Sequence, residues 1–172
     1  LYDSKSKTID HQGMKDLFTH KARVQSWLDV EGALAMAQAK VGMIPVAAAE
    51  NIAANCQLER IDLAEIDRLM RQIGHGFVPV IKVLVKACDA ESGKYVHYGV
   101  TTQNIQQTAH LLIVQKFHRH LMKFVDGTLV NLARLAKAHK NTLMAGRTHG
   151  KHALPITYGY KVSVWIYELL AA

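Results

Sequence analysis

Three short segments of the chain place histidine beside glycine where a helical pattern is interrupted. They are Gly74-His75-Gly76, residues 97–104 (HYGVTTQN) and residues 144–155 (MAGRTHGKHALP). An unperturbed imidazole titrates near pH 6.5, so each histidine can give or take a proton close to neutrality. Glycine beside it lets the backbone approach a ligand closely. Three such segments in one chain favour a site for acid–base chemistry over unrelated surface histidines.

The second segment also carries a threonine pair. Thr101 and Thr102 stand immediately before a long helical pattern. The first N–H groups of a helix lack intrahelical partners, and the helix dipole adds roughly half a positive charge there. Such a helix start is suited to a carboxylate or a phosphate. The simpler alternative is N-capping by one threonine hydroxyl, and for this pair taken alone it is the preferred interpretation.

The third segment offers His149 between two glycines, in what the sequence predicts to be a mobile loop. Arg147, Thr148 and Lys151 stand beside it and are able to contact an anion. A zinc site built on His149 and His152 lacks an evident third ligand, so no metal is expected.

Helices must position these segments. Apolar residues at helical spacing predict helices over about residues 21–41, 47–55, 62–73, 78–88 and 103–139. Asp62 is suited to cap the third, and Pro79 falls in the first turn of the fourth. The fifth would be roughly 55 Å long at 1.5 Å per residue, too long for a domain of this size to bury alone. Helices of that kind are typical of bundles, often between subunits.

Composition narrows the class of protein. The 172 residues are 49% hydrophobic and 20% charged, and no apolar run is long enough to span a bilayer. Two cysteines without CxxC spacing and a polar start without a signal peptide favour a cytoplasmic setting. The net charge of +7 suits an anionic partner, but the basic residues are scattered and carry no nucleic-acid motif. Neither nucleic acid nor a membrane is expected as a partner.

Three segments together carry a resemblance to a known family. Residues 146–165 (GRTHGKHALPITYGYKVSVW), 97–109 (HYGVTTQNIQQTA) and 22–45 (ARVQSWLDVEGALAMAQAKVGMIP) resemble characteristic segments of the fumarase/aspartase superfamily, in its adenylosuccinate lyase branch. They occur in the family's order and spacing over nearly the whole chain. The joint match is far more specific than any one of the three histidine segments.

The resemblance implies an all-α fold, with an N-terminal helical domain over residues 1–100 and the beginning of a long central helical bundle over residues 101–172. It implies a homotetramer that needs no cofactor and builds each active site from segments of three subunits. The family's catalytic base is a serine in a Gly-Ser-Ser loop that this sequence lacks. The helical pattern after Pro155 also continues to Ala172 without a C-cap. We therefore expect an N-terminal fragment that is inactive by itself.

The implied reaction is β-elimination of fumarate from a succinyl-type substrate, an N-substituted aspartate such as adenylosuccinate, without a metal. On this sequence His149 matches the family's general acid, and His75 and His97 match histidines that line the site and orient the substrate or the acid. The implied substrate-binding residues are His97, Thr101, Thr102, Gln103, Thr148 and Lys151.

The sequence departs from the family pattern at several positions. Lys151 stands where glutamine is usual, and Gln103-Asn104 replaces a polar–aspartate pair. Residues 4–7 (SKSK) replace an Arg-Tyr pair that contacts the nucleotide phosphate. Residues 76–82 (GFVPVIK) are similar to the carboxymuconate cycloisomerase branch, which gives 3-carboxy-cis,cis-muconate cycloisomerase activity as an alternative. A basic helical binding module without catalysis is a third hypothesis, and it leaves the histidine–glycine segments unexplained.

Overall fold

The computed structural model describes residues 10–172, so the substituted segment 4–7 lies outside the described residues. The described chain forms six α-helices and one antiparallel hairpin. In chain order these are α1 (His20–Lys40), α2 (Val46–Asn55), α3 (Leu63–Ile73), α4 (Val78–Ala87), α5 (Thr102–Ala138), β1 (Leu143–Thr148), β2 (Lys151–Thr157) and α6 (Tyr158–Ala171). Short 3₁₀ helices occupy Met14–Phe18, Leu58–Arg60 and Ser92–Tyr95.

The helix boundaries follow from local chemistry. The Asp62 carboxylate accepts a hydrogen bond from the Glu65 N–H and caps α3, as the sequence predicts. Gly74, with φ of 69°, closes α3 in the left-handed conformation. Pro79 lies in the first turn of α4, where its missing N–H costs no helical hydrogen bond. The predicted long helix over 103–139 is confirmed as α5, and the all-α fold class is confirmed.

The described residues up to Phe117 belong to one compact unit. In it α1 packs against α2 and α3 packs against α4. The largest fully buried side chains of its core are Leu28, Ile52, Ile66, Phe77, Leu84 and Ile105. Burial of an aliphatic or aromatic side chain contributes about 1.5–3 kcal/mol, so this core supplies most of the unit's stability.

A second compact unit comprises His118–Ala172. The hairpin returns the chain to the end of α5, where the Gly159 N–H donates to the His139 carbonyl and the Tyr158 N–H donates to the Thr142 carbonyl. A Cβ at Gly159 would lie 2.6 Å from the Ala136 carbonyl oxygen. Glycine is therefore required where α6 starts against α5.

The prediction of a mobile loop around His149 is wrong, because this segment forms the β1–β2 hairpin. Its two-residue turn has φ of 47° at His149 and 78° at Gly150. Positive φ at both central residues is the signature of a type I′ turn, whose twist matches that of paired strands. Gly146 lies in a bulge, where a Cβ would be 2.6 Å from the Leu154 carbonyl oxygen.

No helix in residues 10–172 is both long and apolar enough to cross a membrane.

Candidate active site

His75 caps a helix with its ring. Its Nδ1 accepts hydrogen bonds from the N–H groups of Phe77 and Val78, each at 3.1 Å, at the start of α4. Nδ1 must keep its lone pair to accept both bonds, so the ring carries its proton on Nε2. The side chain is exposed. His75 therefore presents an N–H donor to solvent from a fixed ring.

His97 is held against α1. Its Nδ1 lies 2.6 Å from Oε1 of Glu31, a residue that is only 1% exposed, whereas 18% of the His97 side chain is exposed. The backbone of His97 has a φ of 59°, in the left-handed region. This short contact spans 66 residues of sequence and fixes the imidazole at the edge of the core.

Phe77 joins the first two histidine segments. Its ring is fully buried, with its centroid 5.6 Å from that of His97 and 5.2 Å from that of Trp27. Phe77 also lies two residues after His75, and its backbone N–H donates to the His75 ring. The structure thus brings the segments of His75 and His97 together through one aromatic side chain.

The segment after His97 has a second anchor on α1. The Gln38 amide nitrogen donates to the Tyr98 carbonyl at 2.7 Å. Gly99 follows with a φ of 69°, a conformation that glycine adopts without strain. Two buried polar side chains of one helix therefore hold residues 97–99 just before the threonine pair.

Among the described residues neither threonine hydroxyl caps α5, so the preferred interpretation of the threonine pair, N-capping by one hydroxyl, is wrong. Asn104 Oδ1 accepts a hydrogen bond from the Thr101 N–H at 3.1 Å. This bond is the asparagine half of a capping-box arrangement. Within residues 10–172 the hydroxyls of Thr101 and Thr102 make no hydrogen bond, and Gln103 beside them is exposed. The two hydroxyls remain able to bind a ligand.

The remaining candidates cluster at the hairpin turn. Thr148, His149 and Lys151 are all exposed and follow one another around the turn. Arg147 is also exposed, and its guanidinium donates to the Gly150 carbonyl at 3.2 Å. That bond stabilises the turn and leaves the imidazole of His149 at its tip.

Backbone strain coincides with two of the candidates. Among the described residues, only Gln12, His97 and His149 have positive φ without being glycine. Strained conformations persist where the surrounding structure imposes them, and they cluster at functional sites. At His149 the hairpin turn accounts for the positive φ, so it is the strain at His97 that points to a constrained site independently of any sequence motif.

Glu31 and Gln38 were missed by sequence reasoning. Burial raises the pKa of the Glu31 carboxyl, and the contact with His97 partly opposes that rise. Glu31 Oε2 and Gln38 Oε1 have no hydrogen-bond partner within residues 10–172. The signal was present in α1, whose buried stripe runs through Val24, Leu28, Glu31, Ala35 and Gln38. Two polar residues at apolar positions mark buried polar contacts.

Thiol chemistry does not account for the site. Burial raises the pKa of Cys56 to about 12 and that of Cys88 to about 11, so both thiols stay protonated near neutral pH. No group of three or more histidine, cysteine, aspartate or glutamate side chains in residues 10–172 is placed to hold a metal ion. The described candidates offer imidazoles, hydroxyls and an ammonium group, which bind anions and transfer protons.

Comparison with known proteins gives consistent relatives. The chain is 37% identical over 157 residues to N-acetyl-S-(2-succino)cysteine lyase of Dickeya dadantii, covering 91% of this chain and 34% of that protein. It is 36% identical over 156 residues to adenylosuccinate lyase of Pyrococcus horikoshii, with coverages of 91% and 34%. The chain thus spans about a third of the length of these curated relatives.

Solved structures agree with this match. A fumarate lyase from Mesorhizobium sp. BNC1 superposes with a TM-score of 0.90 at 33% identity, covering 99% of this chain and 40% of that one. A β-carboxy-cis,cis-muconate cycloisomerase from Acinetobacter calcoaceticus sp. ADP1 gives a TM-score of 0.87 at 29% identity, with coverages of 94% and 38%. A family model described as Lyase matches residues 6–171. The chain therefore belongs to this lyase family, within the fumarase/aspartase superfamily.

Proposed function

We propose that the full-length protein releases fumarate from a succinyl-type substrate by β-elimination, with an N-substituted aspartate such as adenylosuccinate as the first candidate. The observation that carries the proposal is the pair of relatives named above. Both names describe a succinyl group on a heteroatom, and each relative covers 91% of this chain. Shared substrate chemistry across two differently named relatives favours elimination at the succinyl group.

The reaction needs donors for a developing negative charge. A base removes the proton on the carbon next to a carboxylate, and the charge spreads onto that carboxylate before the heteroatom leaves. Thr101 and Thr102 support this role, because their hydroxyls have no hydrogen-bond partner in residues 10–172 and stand at the start of the 37-residue helix α5. We assign them, with Gln103, to the substrate carboxylate. The base is not assigned to a residue of this chain.

The leaving heteroatom needs a proton as its bond to carbon breaks. We assign His149 as this general acid, because its imidazole stands at the exposed tip of the hairpin turn. A positioned acid contributes about 10²–10⁴ in rate. Thr148 and Lys151 flank the turn and are assigned to substrate anions.

His75 and His97 are assigned to orientation within the same reaction. The ring of His75 is fixed by two backbone N–H groups and offers an Nε2–H donor. The ring of His97 is fixed by Glu31. Fixed polar groups suit a substrate with several carboxylates, since they need no reorganisation during the reaction.

The two relatives differ in the leaving atom. An adenylosuccinate lyase breaks a bond from carbon to nitrogen, whereas a succinocysteine lyase breaks one from carbon to sulfur. A cycloisomerase is the second candidate function, favoured by the TM-score of 0.87 to the Acinetobacter enzyme. Its substrate is also a polycarboxylate, so the same hydroxyl and imidazole groups would serve it.

We further propose a cytoplasmic homotetramer with active sites shared between subunits. Large apolar side chains on α5 and α6 are exposed, namely Leu111, Val130, Tyr160, Tyr167 and Leu170. Exposed apolar surface of this extent favours subunit contacts. Native mass spectrometry of the full-length protein should give a mass of four chains, and a monomer would contradict the assembly.

The function is tested by incubating the full-length protein with adenylosuccinate, N-acetyl-S-(2-succino)cysteine and 3-carboxy-cis,cis-muconate. Fumarate release is followed by ultraviolet absorbance and confirmed by mass spectrometry. We expect fumarate from at least one succinyl compound and most rapidly from the nitrogen substrate. Faster release of fumarate from the sulfur substrate would mean that the preferred leaving atom is sulfur and not nitrogen. Consumption of muconate without release of fumarate from any succinyl compound would establish the cycloisomerase instead.

A further inference from the structure

Glu31 is a buried carboxylate to which the proposed reaction gives no bond-breaking or proton-transfer step. It lies on α1, it is 1% exposed, and its partner is His97, whose ring nitrogen Nδ1 lies 2.6 Å from Oε1. Burying a carboxylate is costly unless it is well paired. One of its two oxygens, Oε2, has no partner among these residues. The packing of the core alone therefore does not explain a glutamate at this position.

The surroundings hold the pair in one geometry. The Phe77 ring lies against His97, and Gln38 fixes the carbonyl of the next residue, Tyr98. The backbone of His97 is held at a φ of 59°. With the ring, the following carbonyl and the backbone all constrained, His97 cannot turn away without breaking several contacts.

The free nitrogen of His97 is directed out of the core. Within residues 10–172 its Nε2 makes no hydrogen bond, and it is not among the enclosed polar atoms that lack a partner. A carboxylate only accepts hydrogen bonds, so ionised Glu31 requires the proton of the pair on Nδ1 of His97. Nε2 then faces outward in a fixed direction, four residues before Thr101 in the chain.

We propose that Glu31 is a positioning residue, which holds the His97 imidazole so that Nε2 is presented to the substrate that the Thr101–Thr102 pair binds. The inference rests on the proposed function for its kinetic readout. A carboxylate on one ring nitrogen sets the tautomer and orientation of an imidazole and raises the basicity of the other nitrogen. Loss of such a partner costs about 10–100-fold in function.

The test compares Glu31→Gln, His97→Asn and the double variant in the full-length protein, using the succinyl compound that the wild type turns over fastest. Ser26→Ala is the matched control, because Ser26 is a buried polar residue of α1 whose hydroxyl, within residues 10–172, bonds only to the Arg23 carbonyl. We expect Glu31→Gln to lower kcat by about 10–100-fold with little change in KM. Adding it to His97→Asn should lower kcat no further, because both changes remove one interaction.

Two kinetic results would overturn the inference. One is turnover by Glu31→Gln equal to that of Ser26→Ala, and the other is a full additional loss of kcat in the double variant. If Glu31→Gln does not fold, Glu31→Asp takes its place, since it keeps the charge but withdraws the carboxylate from Nδ1 by one methylene. Glu31→Asp should also lose kcat, and wild-type turnover by it would count against positioning.

A second readout needs no activity and separates this inference from the proposed function. Diethylpyrocarbonate labels unprotonated imidazole nitrogens, and peptide mass spectrometry gives the rate at each histidine. We expect the labelling rate of His97 in Glu31→Gln to differ several-fold from that in the wild type, because loss of the carboxylate changes the tautomer and basicity of its ring, with His75 unchanged as the internal reference. Equal His97 rates would overturn the inference. A wild type that releases no fumarate would contradict the proposed function but not the role of Glu31. The labelling rates would then decide whether Glu31 positions His97.

Discussion

His97 and His149 share a left-handed backbone, but different forces impose it on them. His97 is half-buried and is held by a carboxylate of α1, the ring of Phe77 and an anchored carbonyl at Tyr98. His149 is exposed at a two-residue turn, and its conformation is set by the adjoining glycine and the strands on either side. Tertiary packing determines the first conformation, and local turn geometry determines the second.

The difference indicates how each histidine can serve the reaction. A ring fixed by a buried network keeps one orientation and suits the binding of a substrate group. An imidazole at the end of a hairpin can be displaced with little loss of packing, which suits proton delivery to a leaving group. Changes near His97 should therefore affect stability and function together, whereas changes at His149 should affect function alone.

The largest expected effect is at His149. His149→Asn in the full-length protein should lower kcat by about 10²–10⁴-fold, since asparagine cannot act as the acid. The free energy of unfolding should stay the same or rise slightly, because asparagine is favoured at the first position of a type I′ turn. Steady-state kinetics and urea unfolding measure the two effects.

His152→Asn is the matched control, since His152 is an exposed histidine on β2 of the same hairpin. It should keep nearly wild-type turnover. Wild-type turnover by His149→Asn would remove His149 from the acid role and end the contrast with His97.

The next largest expected effect is a loss of stability when the packing around His97 is disrupted. Phe77→Ala should lower the free energy of unfolding by about 3–5 kcal/mol, because a fully buried aromatic ring is lost and a cavity remains. Phe18→Ala is the control: Phe18 is 54% exposed and meets Phe117 edge-to-face, so its loss should cost about 0.5–1.5 kcal/mol. Urea unfolding compares the two variants, and equal losses would show that Phe77 is not a centre of packing for the His97 segment.

The sequence predicted the features that depend on near neighbours. The five helices before the hairpin follow from apolar spacing within each segment, and the Asp62 cap follows from one side chain and an N–H three residues later. The third histidine segment is predicted to be a loop because glycines flank His149 between two helical patterns. The hairpin depends instead on positive φ at two successive residues and on a bulge at position 146, where only glycine fits.

The site was predictable only in part, for a similar reason. Histidines beside glycine are visible as local patterns, but the partner of His97 lies 66 residues away on α1. Nothing in a local window pairs those two positions. The bond from the Thr101 N–H to Asn104 was missed because threonine before a helix is a common cap, and whether its hydroxyl makes the capping bond depends on its side-chain rotamer.

A smaller effect is expected at the start of α5. Thr102→Val should raise KM by an amount equivalent to about 1–3 kcal/mol, because a substrate carboxylate would lose a hydroxyl donor. Stability should not change, since the Thr102 hydroxyl makes no hydrogen bond in residues 10–172. Asn104→Ala should show the reverse pattern, with a loss of about 1 kcal/mol in unfolding free energy because the Thr101 N–H loses its acceptor. A stability loss for Thr102→Val with unchanged kinetics would return the threonine to a capping role.

The smallest effect concerns pH and the Glu31–His97 pair. Burial raises the pKa of Glu31 above its ordinary value of 4.5, so the folded protein binds this proton more tightly than the unfolded chain does. The free energy of unfolding should therefore fall as pH rises from 4.5 through the raised pKa, and the cost should be absent below 4.5. His97 lowers the pKa of Glu31 and so opposes this cost.

The pH-dependent fall should be largest in His97→Asn, smaller in the wild type and absent in Glu31→Gln. Urea unfolding between about pH 4 and pH 7 measures the three slopes. Equal slopes in all three proteins would mean that Glu31 titrates as it does in the unfolded chain, and the contrast between a buried and an exposed histidine would then rest on packing alone.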